Sequence, residues 1–339
     1  MVKLLIYVAI ALGLILVFQL MRIYQLSAEM KGKNTGIAND KDNNRQGVNA
    51  LIFVTAFFTF LIWLIFKYKD MMLPEAASDV GKTSDNLFYL NWVILFVVFF
   101  ITEAILFYYA FKYRKNKNNP QAYFYPHNDK LELIWTVVPS IALAVVIIYG
   151  LSLWGKMTGP ADKDSIVIQL YAKQFDFTAR YAGKDNVLGN SNYKLVDDAT
   201  NPLGMDPKDP NGADDFIVKG EFHLPVNKPV VLYCNAREVM HGMYLPHFRE
   251  QINCVPGITT SMHFIPTITT AKMRQITHDS TFNYLLLCNR VCGGGHYNMQ
   301  MNIVVDEQAD YDKWVAKHKA FMADYKAPEA SASAPTAMK

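Results

Sequence analysis

The sequence predicts two parts of different class: a membrane α-helical anchor of four transmembrane helices, then an all-β sandwich closed by a C-terminal helix. Three observations carry this. Of 339 residues 51% are hydrophobic, yet nearly all long apolar runs lie before residue 155. Beyond residue 165 the hydrophobic period becomes two, in short segments parted by turn residues, which is the pattern of a two-sheet sandwich. All four cysteines, at 234, 254, 288 and 292, lie in that second part, so one side of the membrane holds every thiol.

The first span, Leu4–Leu20, is close to the minimum length for crossing a bilayer. Lys3 and the short core also suit a signal peptide, but no convincing small-x-small cleavage site follows, only Ser27-Ala28-Glu29. A polar loop with Arg22, Lys31, Lys33, Lys41 and Arg45 leads to the second span, Ala50–Phe66. The loop 67–89 balances three lysines against four acids. The third span, Leu90–Phe111, is followed by Lys112, Arg114, Lys115, Lys117 and Lys130, and the fourth, Leu131–Leu153, ends at Trp154. Positive charge therefore marks the loops after spans one and three as cytoplasmic. The N-terminus and everything after Trp154 are then outside. Cleaving span one would reverse this, sending the cysteines to the cytoplasm and exporting a basic loop, so span one is read as retained.

Two carboxylates fall in the membrane part, where an acid is costly and hence a functional candidate. Glu103 lies in span three and reads equally well as a protonated acid facing a neighbouring subunit. Glu132 opens span four, where a first-turn acid is favoured by the helix dipole. Spacing alone gives neither a function. The net charge of +3, with no basic stripe, offers no reason to invoke nucleic acid.

In the external part, strands are expected at 165–171, 173–181, 216–223, 229–235, 259–265, 272–276, 282–287 and 301–305. Residues 183–214, rich in Asn, Asp, Gly and Pro, form a polar insertion. Glu307–Lys326 is the expected closing helix around Trp314, and Ala327–Lys339 an Ala, Ser and Pro tail without fixed structure. The expected divisions are 1–89, two additional helices and their loops; 90–154, a transmembrane hairpin; 155–326, the sandwich; and 327–339, the tail.

The chemistry concentrates in Cys288–Met299, which reads Cys-Asn-Arg-Val-Cys-Gly-Gly-Gly-His-Tyr-Asn-Met. Thiolate, imidazole and thioether donors together select copper over magnesium or calcium. Three glycines let the loop curl so that Cys292 and His296 converge. A single-copper electron-transfer site uses one Cys, two His and a weak Met. The second thiol, four residues earlier, suggests two ions bridged by two sulfurs. A Cys288–Cys292 disulfide would leave His296 and Met299 without a role, and zinc rarely recruits Met. A remote ligand is needed as well. His241, at the end of the expected strand segment Val230–Met240, is the best candidate and His247 its nearest rival, with His223, His263 and His278 reading as ordinary strand histidines. Spacing does not separate 241 from 247. Cys234 and Cys254 stay open between a disulfide and buried small hydrophobes.

Three stretches resemble a known family. Lys130-Leu-Glu-Leu-Ile-Trp-Thr-Val-Val-Pro139, then Val239-Met-His-Gly-Met-Tyr-Leu-Pro246 with Val255-Pro-Gly257, then the C-x3-C-x3-H-x2-M loop are similar, in the same order, to subunit II of haem-copper cytochrome c oxidase. The resemblance implies a cupredoxin Greek-key sandwich carrying a dinuclear copper A centre. Its two copper ions would be bridged by Cys288 and Cys292, with His241 and His296 as terminal ligands, Met299 as a weak one and the backbone carbonyl of Arg290 completing the set. It further implies cytochrome c as electron donor, haem in subunit I as acceptor, membrane lipid and other membrane subunits as partners, and a bacterial-type inner membrane with the copper domain outside. Glu132 matches the family's proton-path acid.

The chain departs from the family in three ways. Arg290 stands where a glutamate helps hold magnesium, so that ion is expected to be missing or altered. The strand where electrons enter usually reads Gln-Trp-x-Trp and here reads Gln174-Phe-Asp-Phe177, leaving Phe175, Phe177 or Tyr181 to receive them. The first two spans and the insertion are additions, suited to contacts with other subunits. No C-x-x-C-H occurs, so no haem is attached covalently. Two rivals are a quinol oxidase subunit II, which lacks the copper ligands, and a membrane-anchored copper chaperone, which has no use for the Lys130–Pro139 motif.

Overall fold

The computed structural model describes residues 2–30 and 39–325. Lys31, Lys33 and the Ala327–Lys339 tail lie outside them. Four helices come first: α1 (Val2–Met30), α2 (Asp40–Met72), α3 (Asp79–Lys112) and α4 (Asp129–Thr158). Each is long and apolar enough to cross a membrane. All four extend beyond the apolar runs in the sequence, because polar turns flanking a span stay helical. The chain divides into two compact units, residues 1–69 with 95–130, and residues 70–94 with 131–339.

In the first unit α2 and α3 run antiparallel against each other through phenylalanines. Phe53 meets Phe107, Phe57 meets Phe99 and Phe58 meets Phe100, with ring centroids 6.1, 6.3 and 4.9 Å apart. At one end Asn43 donates to the Lys115 carbonyl and Arg114 to the Asn44 side chain. Gly47 lets Arg114 and Phe111 come close, since a Cβ there would meet the Arg114 side chain at 2.9 Å.

The second unit holds a sandwich of ten strands: β1 (Ile166–Lys173), β2 (Asp176–Tyr181), β3 (Phe216–Lys219), β4 (Glu221–Pro225), β5 (Val230–Ala236), β6 (His241–Leu245), β7 (Glu250–Cys254), β8 (Thr260–Phe264), β9 (Tyr284–Cys288) and β10 (Gln300–Asp306). One sheet has the order β3-β2-β1-β5-β8 and the other β4-β10-β9-β6-β7. Alternate residues face the core between them: Ile168, Leu170 and Ala172 on β1, Leu232 and Cys234 on β5, Met243 and Leu245 on β6, and Met301, Ile303 and Val305 on β10 are all buried.

The elements differ from expectation in five places. The expected strand 173–181 is a tight hairpin: Lys173 pairs with Asp176, so Gln174 and Phe175 form the turn. The expected strand 216–223 is two strands in different sheets, broken at Gly220, whose φ of +78° lets the chain cross over. The expected strand 272–276 is a helix, α5 (Thr270–Thr277). Thr269 caps it by accepting from the Lys272 amide, Met273 is its buried contact, and His278 ends it in the left-handed region. The strand expected to lead into His241 stops at Ala236, and His241 instead opens β6, paired with β7. The closing helix α6 spans only Gln308–Val315, because the Phe321 amide docks on the Asp215 carbonyl and draws the chain away.

The insertion folds around a buried cation. Arg180 donates to the Asp215 carboxylate, the Gly189 carbonyl, the Ser191 hydroxyl and the Gln169 side chain. The 74–85 segment is also part of this unit. Ser78 donates to the Phe248 carbonyl, Ala77 exchanges backbone bonds with His247 and Thr267, and Arg249 pairs with Asp85.

Candidate metal centre

β9 delivers Cys288 to the rim of the sandwich, and the Cys288 amide donates to the Met299 carbonyl, closing the loop 289–299 as a hairpin between β9 and β10. Within it a 3-10 turn, His296–Asn298, is held by the His296 amide on the Gly293 carbonyl. Gly293 sits at φ +138°, which a side chain rarely adopts. β6 pairs with β9 beside the loop, Met243 opposite Cys288, and so carries His241 to the same place. Gly242 permits the approach, for a Cβ there would stand 1.9 Å from the Asn289 amide oxygen.

These elements bring six donors together. The Cys288 and Cys292 sulfurs lie 3.8 Å apart and both cysteines are free thiols, where a bonded pair would stand at about 2.05 Å. His241 Nδ1 is 3.9 Å from the Cys288 sulfur, and His296 Nδ1 is 3.7 Å from that of Cys292. The Arg290 carbonyl oxygen lies 3.2 Å from the Cys288 sulfur, and the Met299 thioether 3.9 Å from the Cys292 sulfur. Burial and the adjacent Cys288 thiol push the Cys292 thiol up to about 11. Burial lowers His241, which favours the neutral imidazole a metal requires. The donor set fits a soft metal: unoxidised thiols, with both imidazoles turning Nδ1 toward them.

His247 is not among the donors. It lies on the 3-10 turn Pro246–Phe248, edge-on to Phe282 and Tyr284 at 5.1 and 5.4 Å. Of the three aromatic candidates on the β1–β2 hairpin, Phe177 and Tyr181 are buried and present no surface, and the Tyr181 hydroxyl donates to the His223 carbonyl. Phe175 alone is exposed, at 41%. Its ring lies directly against the loop, since a Cβ on Gly295 would come within 2.6 Å of it and one on Gly293 within 2.8 Å. Arg290 points its guanidinium at the Asn253 side chain, 2.9 Å away. Glu132 lies in the first turns of α4, and Glu103 in α3. Cys234 and Cys254 are buried free thiols, with Cys234 against the Met243 sulfur at 3.2 Å. The Gly242 contact, the Arg290–Asn253 bond and the position of Gln174 left no mark in the spacing of residues, because each depends on strands far apart in sequence.

A two-sheet sandwich with a cluster of two thiols, two imidazoles and a thioether at its rim, on a helical anchor, defines a membrane-anchored protein with a cupredoxin-like domain and a site that could hold a soft metal. Residues 67–153 match the family model described as cytochrome C oxidase subunit II, transmembrane domain. The chain is 32% identical over 249 residues to the alternative cytochrome c oxidase subunit 2 of Bradyrhizobium diazoefficiens, covering 72% of this chain and 83% of that protein. It is 24% identical over 273 residues to the cytochrome c oxidase subunit 2 of Thermostichus vulcanus, covering 74% and 79%. Among solved structures, the periplasmic domain of subunit II of the cytochrome oxidase of Bradyrhizobium japonicum aligns with 48% of this chain and 96% of its own at 19% identity and a TM-score of 0.32. The chain belongs to the cytochrome c oxidase subunit II family. It is accordingly a membrane-bound component of an oxidoreductase complex.

Proposed function

We propose that this chain is the subunit through which electrons enter a haem-copper terminal oxidase, from a cytochrome c through a dinuclear copper A centre to haem in subunit I, where oxygen is reduced to water and protons are translocated. The observation that carries the reading is the unbonded pair of sulfurs 3.8 Å apart with an imidazole Nδ1 beside each. Cys288, Cys292, His241, His296, Met299 and the Arg290 carbonyl would hold the ions. When bound, two copper ions sharing thiolates supply a one-electron carrier whose charge change is spread over both metals.

The protein supplies the rest. The sandwich holds the donors in place before metal arrives, and the buried positions of His241, Cys292 and Met299 keep water from them. Phe175, exposed on one side and against Gly293 and Gly295 on the other, offers a cytochrome a path to the loop. The sandwich lies on the outer, periplasmic side of a bacterial-type inner membrane, following the charge of the loops. Glu132 serves proton movement at the cytoplasmic end of α4. Residues 90–154 act as the family's hairpin anchor, while the helices and loops of 1–89 and the 183–214 insertion contact other subunits. No magnesium is carried over to Arg290, whose guanidinium repels a cation and is bonded to Asn253.

Metal analysis of the purified full-length chain tests this. Two coppers per chain and a purple colour are expected. A colourless chain that takes up no copper would favour a quinol oxidase subunit, one copper would remove the dinuclear reading, and stoichiometric magnesium at Arg290 would overturn its exclusion.

A further inference from the structure

The β1–β2 hairpin belongs to one sheet, yet its turn reaches the donor loop of the other sheet and the β5–β6 connection that leads to His241. The Gln174 side chain donates through Nε2 to the Cys292 carbonyl oxygen at 2.5 Å. Its backbone amide donates to the Glu238 carboxylate at 3.3 Å, three residues before His241. The next residue, Phe175, lays its ring on Gly293 and Gly295. One turn thus contacts the Cys292 peptide, the glycines that follow it and the connection leading to His241.

We infer that Gln174 is a positioning residue for the metal centre: by bonding Cys292 and Glu238 at once, it holds the loop and the His241 segment in register before copper binds. The inference rests on the copper reading for its consequence, but not for its geometry. The physical reason is that the loop is rich in glycine and gains little stiffness from its own backbone. Two Cys and two His must be held to within a fraction of an ångström for both ions to bind at once. An amide side chain bonded to a ligand residue's carbonyl restricts that peptide without competing for metal, as outer hydrogen bonds around metal ligands do elsewhere.

The test compares the full-length wild type with Gln174→Leu, which keeps bulk and removes the donor. Gln174→Asn, one methylene short of Cys292, stands in should the leucine variant fail to fold. In the copper-free chains, amide exchange over residues 293–296 is expected to accelerate about tenfold or more in the variants, with exchange in the β1 and β5 core unchanged. In the copper-loaded chains, loss of copper to a chelator is expected to be about 10- to 100-fold faster, with altered copper hyperfine splittings in the paramagnetic resonance spectrum. Wild-type exchange in the loop together with a wild-type spectrum would overturn the inference. A wild-type chain with no two-copper spectrum would instead defeat the copper reading, and amide exchange would still decide the role of Gln174.

Discussion

Cys288 and Cys292 hold their sulfurs 3.8 Å apart without a bond between them, and the Cys292 thiol is pushed up to about 11 by burial and by its neighbour. Below that value the thiol keeps its proton, and a metal must displace it. Copper uptake should therefore release protons, and apparent affinity should rise with pH by about tenfold per unit for each proton displaced. Titration in weakly buffered solution between pH 6 and 8, with a pH indicator, measures the release. Uptake without proton release would mean that Cys292 is not a ligand.

The contact between Phe175 and Gly295 makes a paired prediction. A Cβ on Gly295 would stand 2.6 Å from ring carbons of Phe175, so Gly295→Ala should displace the loop and weaken copper binding. Adding Phe175→Ala removes the obstacle and should restore binding. Phe175→Ala alone should keep copper and lower the rate at which cytochrome c is oxidised. An unchanged rate with copper retained would show that electrons enter elsewhere.

Glu250 predicts the alkaline behaviour of the sandwich. It is wholly buried, neither oxygen has a hydrogen-bond partner among the described residues, and burial, with a smaller contribution from Asp79, raises it from 4.5 to about 9. Between these values the folded chain holds a proton that the unfolded chain has lost. Its contribution to stability is thus complete below pH 4.5 and falls as pH rises toward 9, by up to about 1.4 kcal/mol per unit. His247, lowered by burial to about 4, acts in the opposite sense but only below its unfolded value of 6.5. From pH 6.5 to 8 the slope therefore belongs to Glu250, and thermal melting of Glu250→Gln should lose it.

Arg180 and Asp215 form a buried ion pair, 1% and 0% exposed, at the root of the insertion. Arg180→Met leaves the buried carboxylate without its counter-charge, held only by the Gly189 amide, and should cost about 3–5 kcal/mol. Replacing both by apolar residues should recover much of the loss. Thermal melting of the single and double variants reads the difference, and a single variant as stable as wild type would mean the pair contributes little.

Much of this molecule is legible in its residues, for identifiable reasons. The four helices follow from apolar runs, which need no partner to be recognised, and the donor loop follows because four of its donors lie within one twelve-residue stretch. Spacing does not separate His241 from His247, since β6 meets β9 only through long-range pairing. The segment 272–276 is too short for its period to separate strand from helix, and the Thr269 cap that makes it a helix is a single hydroxyl. Phe177 and Tyr181 alternate with Phe175 along the chain, but the turn at Gln174–Phe175 throws Phe175 outward and leaves the other two inside. The grip of Gln174 on Cys292 joins residues 118 apart, and no local pattern encodes it.

The central claim is that two thiols, two imidazoles, a thioether and a carbonyl in this arrangement hold two ions that act as one. Paramagnetic resonance of the oxidised, copper-loaded full-length chain tests it most directly. A single unpaired electron shared equally by two coppers, seen as seven hyperfine lines, is expected. Four lines, the signature of an electron confined to one copper, would contradict it.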